Sequence, residues 1–355
     1  MSRNVKHLVS VAVLVIVGAI VTYFLLRAIY ILPVAASAEA GPIDQLFDIQ
    51  FAFIAFLFAL IVVFMLYSVV MFRRKPGDEQ GADFHSHTVL EIVWTVIPLI
   101  IVIALGIFSA FMLAEITEAN PGEMDVHVQG RQWSWVFSYP DHEEVGFSTS
   151  LVLPVDQPIR LLMSTDDVLH SFWVPEFRVK QDLVPGQITE LRITPDLEGS
   201  YKVRCAEICG LDHARMVANV EVVSRAEFDQ WISDQTPLLP LDEMSAAERG
   251  QQWVVELGCN SCHSVDGAVG AGPTWLNLIG RNEDLVDGST ITVDGEYIRK
   301  SILNPSFQLV DGFADSMVKD YDERIAAREA EIAERQSFEL DMIADLIAYI
   351  ETLAE

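Results

Sequence analysis

The sequence predicts a membrane-anchored, multidomain chain in which transmembrane helices lead into an all-β domain and then into a separate C-terminal domain. Three apolar runs crowd the first third, short alternating runs fill residues 121–224, and an isolated Cys-x2-Cys-His motif stands beyond them. The 355 residues allow two or three domains. With 21% charged residues, a positive mean hydropathy of +0.30 requires the apolar residues to be concentrated in one region. The net charge of -28 excludes a nucleic-acid binder, because a phosphate backbone would be repelled.

The apolar runs are Leu8–Leu32, Ile49–Phe72 and Leu90–Leu113. Crossing a hydrocarbon core of roughly 30 Å takes about 20 helical residues, so each is long enough. Arg27 alone interrupts the first, nothing charged interrupts the second, and Glu91 stands early in the third. A basic start at Arg3 and Lys6, with Ala35-Ala36-Ser37-Ala38 after the first run, also fits a cleavable signal peptide. The run exceeds the usual core of about 7–15 residues, which favours an uncleaved anchor over residues 1–40. Arg3, Lys6 and Arg73-Arg74-Lys75 place the N-terminus and the loop between the second and third runs in the cytoplasm. The hairpin of residues 41–120 then delivers everything after Glu115 to the periplasmic or outer face, cleaved or not.

From Asp125 the runs Asp125–Val128, Ser134–Ser138, Ile159–Met163, Ile188–Ile193, Gly199–Val203 and Val217–Val223 alternate between Pro and Gly punctuation. That pattern predicts a sandwich or barrel of about 100 residues, here 121–224. Its end reads Cys205-Ala-Glu-Ile-Cys209-Gly-Leu-Asp-His213-Ala-Arg-Met216. Two thiols, an imidazole and a thioether make a soft ligand set suited to copper. A single-copper site uses one Cys, so paired sulfurs point to two bridged ions, with a Cys205–Cys209 disulfide as the plain alternative. A further nitrogen would come from His127, His142 or His170, the last opening an apolar stretch that enters a strand.

Residues 44–233 resemble subunit II of the haem-copper cytochrome c oxidases. Four ordered motifs carry the likeness: Leu90-Glu-Ile-Val-Trp-Thr-Val-Ile-Pro98, Gly130-Arg-Gln-Trp133-Ser-Trp135, Asp167-Val-Leu-His170-Ser-Phe-Trp-Val-Pro175 and Cys205–Met216. The resemblance implies a cupredoxin-like sandwich carrying a binuclear CuA centre. Cys205 and Cys209 would bridge, His170 and His213 would be terminal ligands, Met216 an axial thioether and the Glu207 carbonyl the remaining weak ligand. It also implies that the Glu207 side chain reaches a magnesium ion shared with subunit I. Trp133 would match the surface aromatic through which electrons enter, and Trp135 its neighbour in the cluster. Glu91 would lie at the mouth of a proton-uptake channel, although an interfacial charge is the simpler reading.

Residues 225–245 hold an amphipathic stretch and the Pro-bounded segment Thr236-Pro-Leu-Leu-Pro240, read as a helix end and a linker. In Gly258-Cys259-Asn-Ser-Cys262-His263 the thiols suit covalent haem attachment, with the adjacent His as axial ligand. Residues 246–355 resemble class I cytochrome c, an all-α domain. The likeness makes Pro273 the acceptor of a hydrogen bond from His263 and Met317 the sixth ligand. Met342, the other nearby methionine, falls in an amphipathic terminal helix, Phe338–Leu353, as a core residue. Lys319–Gln336 departs from the family pattern and reads as an extra solvated helix of unassigned role.

The fused order resembles caa3-type oxidases of the bacterial inner membrane. It implies subunits I and III as partners and an extracytoplasmic donor, such as a cytochrome c or a quinol-oxidising complex, that reduces haem c ahead of CuA, haem a and the oxygen-reducing centre. A CuA-containing nitric oxide reductase subunit is the alternative, against which Glu91 and the helical hairpin weigh. The last 115 residues carry a net -15, which would either steer a basic donor or serve solubility.

Overall fold

The computed structural model describes residues 3–29, 32–74, 85–142, 145–234, 241–335 and 340–354. Lys75, Thr236–Pro240, Gln336 and Phe338, to which the sequence reading gave roles, lie outside the described residues. The chain divides into two compact units, Met1–Glu118 and Ala119–Glu355.

The first unit holds α1 (Arg3–Ile29), α2 (Ala40–Met71) and α3 (Thr88–Ile116), each long and apolar enough to cross a membrane. α1 runs antiparallel to α2. His7 meets the Tyr67 hydroxyl at 2.7 Å, Gly18 faces Ala59, and Arg27 lies 3.6 Å from Asp48. The charge that interrupts the first apolar run thus has an acidic partner just ahead of the start of the next.

In the second unit, two sheets form the expected all-β, cupredoxin-like domain. One has the order β2 (Ser134–Ser138), β1 (Met124–Arg131), β4 (Ile159–Thr165), β7 (Thr189–Ile193). The other runs β3 (Ser150–Pro154), β9 (Val217–Val223), β8 (Gly199–Cys205), β5 (His170–Trp173), β6 (Lys180–Leu183). Alternation along β1 and β4 buries Val126, Val128, Leu161 and Met163 on one face, as period-2 patterning requires. Five of the six expected runs are strands or parts of strands, the sixth overruns β7 by Ile188 alone, and β3, β5 and β6 are additional.

The parallel register of β1 and β4 sets Asp125 opposite Arg160, whose guanidinium donates to both carboxylate oxygens at 2.8 and 2.6 Å. That hydrogen bonding outweighs burial and holds the Asp125 carboxyl below its ordinary range. A depressed folded value contributes stability that is complete above the unfolded value of about 3.9 and is lost as pH falls through the folded value. Asp125→Asn is therefore expected to lower the denaturant midpoint of the β-domain at pH 7, with the gap from wild type closing below about pH 4. A gap that stayed constant across that range would mean the pair does not stabilise the fold.

The stretch read as a linker opens with α4 (Arg225–Ser233), started by a reciprocal Ser224–Glu227 capping box. Its Phe228 is buried, and Trp231 packs edge-on to Tyr139 at 5.3 Å. Tyr139 in turn bonds both backbone groups of Val152.

The C-terminal region is mainly helical, with α5 (Ala246–Glu256), α6 (Gly295–Leu303), α7 (Tyr321–Arg335) and α8 (Met342–Glu351). A short ribbon, β10 (Asn282–Asp284) and β11 (Thr290–Thr292), departs from the all-α expectation. α5 and α8 approach so closely that a Cβ on Gly250 would lie 2.0 Å from the Asp345 carbonyl oxygen, so only glycine fits. Beside this crossing Arg249 donates to both oxygens of Asp345 at 2.7 and 2.8 Å, and Trp253 Nε1 donates at 3.1 Å. The expectation that α7 is solvated needs correction: Tyr321, Ile325 and Ile332 bury one of its faces in the core. The cause is amphipathic spacing, which an Ala-, Glu- and Arg-rich composition concealed.

Candidate metal centre and cofactor cleft

β5 and β8 are antiparallel neighbours that pair Phe172 with Cys205, which brings His170 at the start of β5 to Cys205 at the end of β8. The loop after β8 folds back, with the Cys205 amide donating to the Met216 carbonyl at 3.1 Å. Cys205 and Cys209 are free and buried, with their sulfurs 3.7 Å apart. His170 Nδ1 lies 3.8 Å from Cys205 Sγ, and His213 Nδ1 3.5 Å from Cys209 Sγ. Met216 Sδ is 3.8 Å from Cys209 Sγ, and the Glu207 carbonyl 3.2 Å from Cys205 Sγ. All six ligand positions implied by the sequence therefore converge on one small volume. His127 is exposed on β1 and His142 packs against Phe228, so of the three histidine candidates the fold brings in His170.

Electrostatics prepares the centre. The Cys209 thiol donates to Cys205, and this bond, with help from His170 and against burial, holds Cys205 far below an ordinary thiol. Cys209 is pushed up by the same shared proton and by burial. Two paired thiols in a dry site, one favoured as thiolate, suit a soft cation. His170 is fully buried, and its Nε2–H donates to Asp167 Oδ1 at 2.8 Å, which leaves Nδ1 with its lone pair toward the sulfurs. Burial raises the Asp167 carboxyl, but the bonds from His170 and from the Gln132 and Val168 amides outweigh it and keep the group ionised.

Trp133 and Trp135 flank the centre. Trp135 is buried, stands edge-on to Phe172, and donates from Nε1 to the Met216 carbonyl at 3.4 Å. Trp133 is not the surface aromatic expected, since it is only 7% exposed. Its Nε1 donates to the Cys209 carbonyl at 3.3 Å, and Gln132 Nε2 donates to the same oxygen at 2.6 Å. What covers Trp133 belongs to the C-terminal region.

That cover is the rim of a largely apolar cleft. Cys259, Cys262, His263 and Met317 line it, as do Gln132 and Trp133 from the β-domain. His263 Nδ1 donates to the Pro273 carbonyl at 2.8 Å, the bond expected, which fixes the tautomer and leaves Nε2 as a ligand atom. Its ring stacks on Trp275 with centroids 5.1 Å apart, and burial holds the imidazole neutral against the Pro273 bond. A Cβ on Gly272 would lie 2.5 Å from His263 Cε1, so glycine there is required by the ring. Burial pushes the Cys259 thiol up to about 12. Met342 is buried in the core and is absent from the cleft lining. Two thiols, an imidazole and a thioether around an apolar cleft fit covalently attached haem.

Glu91 lies in the first turn of α3, where its Oε1 accepts from the His87 amide at 3.1 Å. The Glu207 side chain is partly exposed and 3.9 Å from Lys180 Nζ. Sequence reasoning gave no role to Asp167, Gln132 or the arginines of α7. The Asp167-x-x-His170 spacing carried a signal for the first of these, because carboxylate–imidazole pairs commonly support metal ligands.

Two family models match the chain. Residues 25–112 match the transmembrane domain of cytochrome c oxidase subunit II, and residues 148–223 match its periplasmic domain. Both matches end before α5. Cytochrome c oxidase subunit 2 of Alkalihalophilus pseudofirmus is 35% identical over 230 residues, which cover 61% of this chain and 66% of that one. Subunit 2 of Thermostichus vulcanus is 31% identical over 255 residues, covering 57% and 77%. Among solved structures, the periplasmic domain of subunit II of cytochrome oxidase from Bradyrhizobium japonicum is 29% identical, covers 33% of this chain and 96% of that one, and has a TM-score of 0.31.

Proposed function

Because the chain belongs to the cytochrome c oxidase subunit II family, we propose that it is the electron-entry subunit of a caa3-type oxidase. In this reading Cys259, Cys262, His263 and Met317 would hold a covalently attached c-type haem, which would supply electron uptake from an extracytoplasmic donor. His170, Cys205, Glu207, Cys209, His213 and Met216 would hold binuclear copper, which would supply the onward relay to subunit I.

The observation that carries the reading is the shared wall. Gln132 and Trp133 line the cleft and both donate to the Cys209 carbonyl, so one pair of side chains touches both ligand sets. When bound, copper and haem supply reversible one-electron chemistry. The protein supplies the setting: Asp167 holds the His170 tautomer, Pro273 holds that of His263, and the buried thiols exclude water. In the same reading the partly exposed Glu207 carboxylate would contribute to a magnesium site shared with subunit I. Glu91 at the start of α3 is assigned to proton uptake. No oxygen chemistry needs residues of this chain.

The test is metal and haem counting on the full-length chain, with optical and EPR spectra. Two coppers sharing one unpaired electron, together with one low-spin haem, are expected. A single copper with a blue-protein spectrum, or haem without copper, would remove the reading.

A further inference from the structure

The segment without an assigned role, now α7, turns one broad side inward. Tyr321 and Ile325 line the cleft, and the Tyr321 hydroxyl donates to the Leu257 carbonyl at 3.3 Å. Arg324 and Arg328 border that face along one side. Arg324 Nη2 lies 3.7 Å from Asp167 Oδ2 of the β-domain, while its Nε is held by Asp320 at 2.9 Å. Arg328 Nε lies 2.7 Å from Glu256 Oε1 at the end of α5, and Arg131 of β1 donates to the Glu256 carbonyl. These contacts are shielded: the Asp167 side chain is 6% exposed, that of Glu256 8% and that of Arg324 16%. A Cβ on Gly258 would lie 2.7 Å from Ser134 Oγ, so backbone meets β-domain directly at the foot of the cleft.

Asp167 is the hub of this junction. One oxygen accepts from His170 Nε2 and from the Val168 amide, and the other accepts from the Gln132 amide and faces Arg324. A cation on α7 is thus two contacts from a ligand atom of the metal centre. An ion pair in so shielded a place is screened little by salt, and losing one partner strands the other.

Resting on the reading above, we propose that α7 is an intramolecular strap that fixes the cytochrome-type domain on the β-domain, and that Arg324 is a positioning residue that steadies His170 through Asp167. The strap replaces collision between two redox proteins by a fixed geometry, for which displacements near 1 Å matter.

The experiment uses the full-length, copper- and haem-loaded chain in detergent. Hydrogen exchange at the Gln132 and Val168 amides, both bonded to Asp167, is measured alongside the copper EPR hyperfine pattern. Arg324→Glu is expected to speed exchange at both amides by about tenfold or more and to alter the hyperfine pattern, with the haem spectrum unchanged. Arg324→Lys should recover most of the protection. Lys300→Glu, an exposed change on α6 at a pair with Glu296, should change nothing. Arg328→Glu tests the strap a second time should Arg324→Glu fail to accumulate, and should loosen the same amides. Wild-type exchange in both glutamate variants would overturn the strap. Wild-type chain that carries haem without copper would instead remove the functional reading, and the exchange result would still decide the strap.

Discussion

Cys209→Ser is expected to abolish the two-copper centre while leaving haem content unchanged. Cys209 Sγ is the common neighbour of the ligand set, 3.7 Å from Cys205 Sγ, 3.5 Å from His213 Nδ1 and 3.8 Å from Met216 Sδ. Serine places a hard, neutral hydroxyl where the set needs a soft anion. If site affinity is shared among about four strong ligands, losing one costs on the order of 100-fold in copper affinity. The bridge is also lost, so any copper retained should lose the mixed-valence signature. The cleft is spared because Trp133 and Gln132 donate to the residue 209 carbonyl, which serine keeps. Copper counting by mass spectrometry and EPR on the haem-loaded chain decides the matter. Two coppers with an unchanged spectrum would show that Cys209 is no bridge.

Asp345→Ala should have the largest effect on stability, about 3–5 kcal/mol, because it strands a shielded guanidinium. Asp345 is 3% exposed and accepts from Arg249 twice and from Trp253. Once it is removed, Arg249 keeps the Leu241 and Met244 carbonyls but no counter-charge from α8. The loss falls at the α5–α8 crossing, and the C-terminal domain should unfold at lower denaturant while the β-domain transition stays in place. Replacing the pair together, Arg249→Met with Asp345→Leu, should recover most of the loss, since an apolar pair of similar volume needs no desolvation. A single-variant cost below about 1 kcal/mol would mean that solvent already reaches the pair.

What the sequence made legible, and what it hid, follows from how local each feature is. The three spans and the alternating strands are one-dimensional patterns, and they could be read directly. β3 was missed because Leu151–Pro154 are buried without alternation, and β6 because Lys180-Gln-Asp-Leu183 offers a single buried residue at a sheet edge. The metal loop was legible because four of its donors sit within twelve residues, and His170 because an ordered motif marked it. Asp167 lay inside the same motif, but its hydrogen bond to His170 is a matter of side-chain direction. Trp133 could not be recognised as buried, because its cover is folded from residues more than a hundred positions later. The same distance hid α7: its charges look like a solvated surface until Asp167 and Glu256 are seen opposite them.

The wall shared by Gln132 and Trp133 makes the two sites thermodynamic neighbours. Occupancy of the metal loop fixes the Cys209 carbonyl that both side chains hold, and occupancy of the cleft fixes the other sides of the same two residues. By linkage, any free energy with which a filled metal loop would stabilise a filled cleft would be returned in equal measure were the cleft filled first. Order of loading could change the rate of maturation but not that sum, and a change that displaces the residue 209 carbonyl, rather than its sulfur alone, would be felt at the cleft through two side chains.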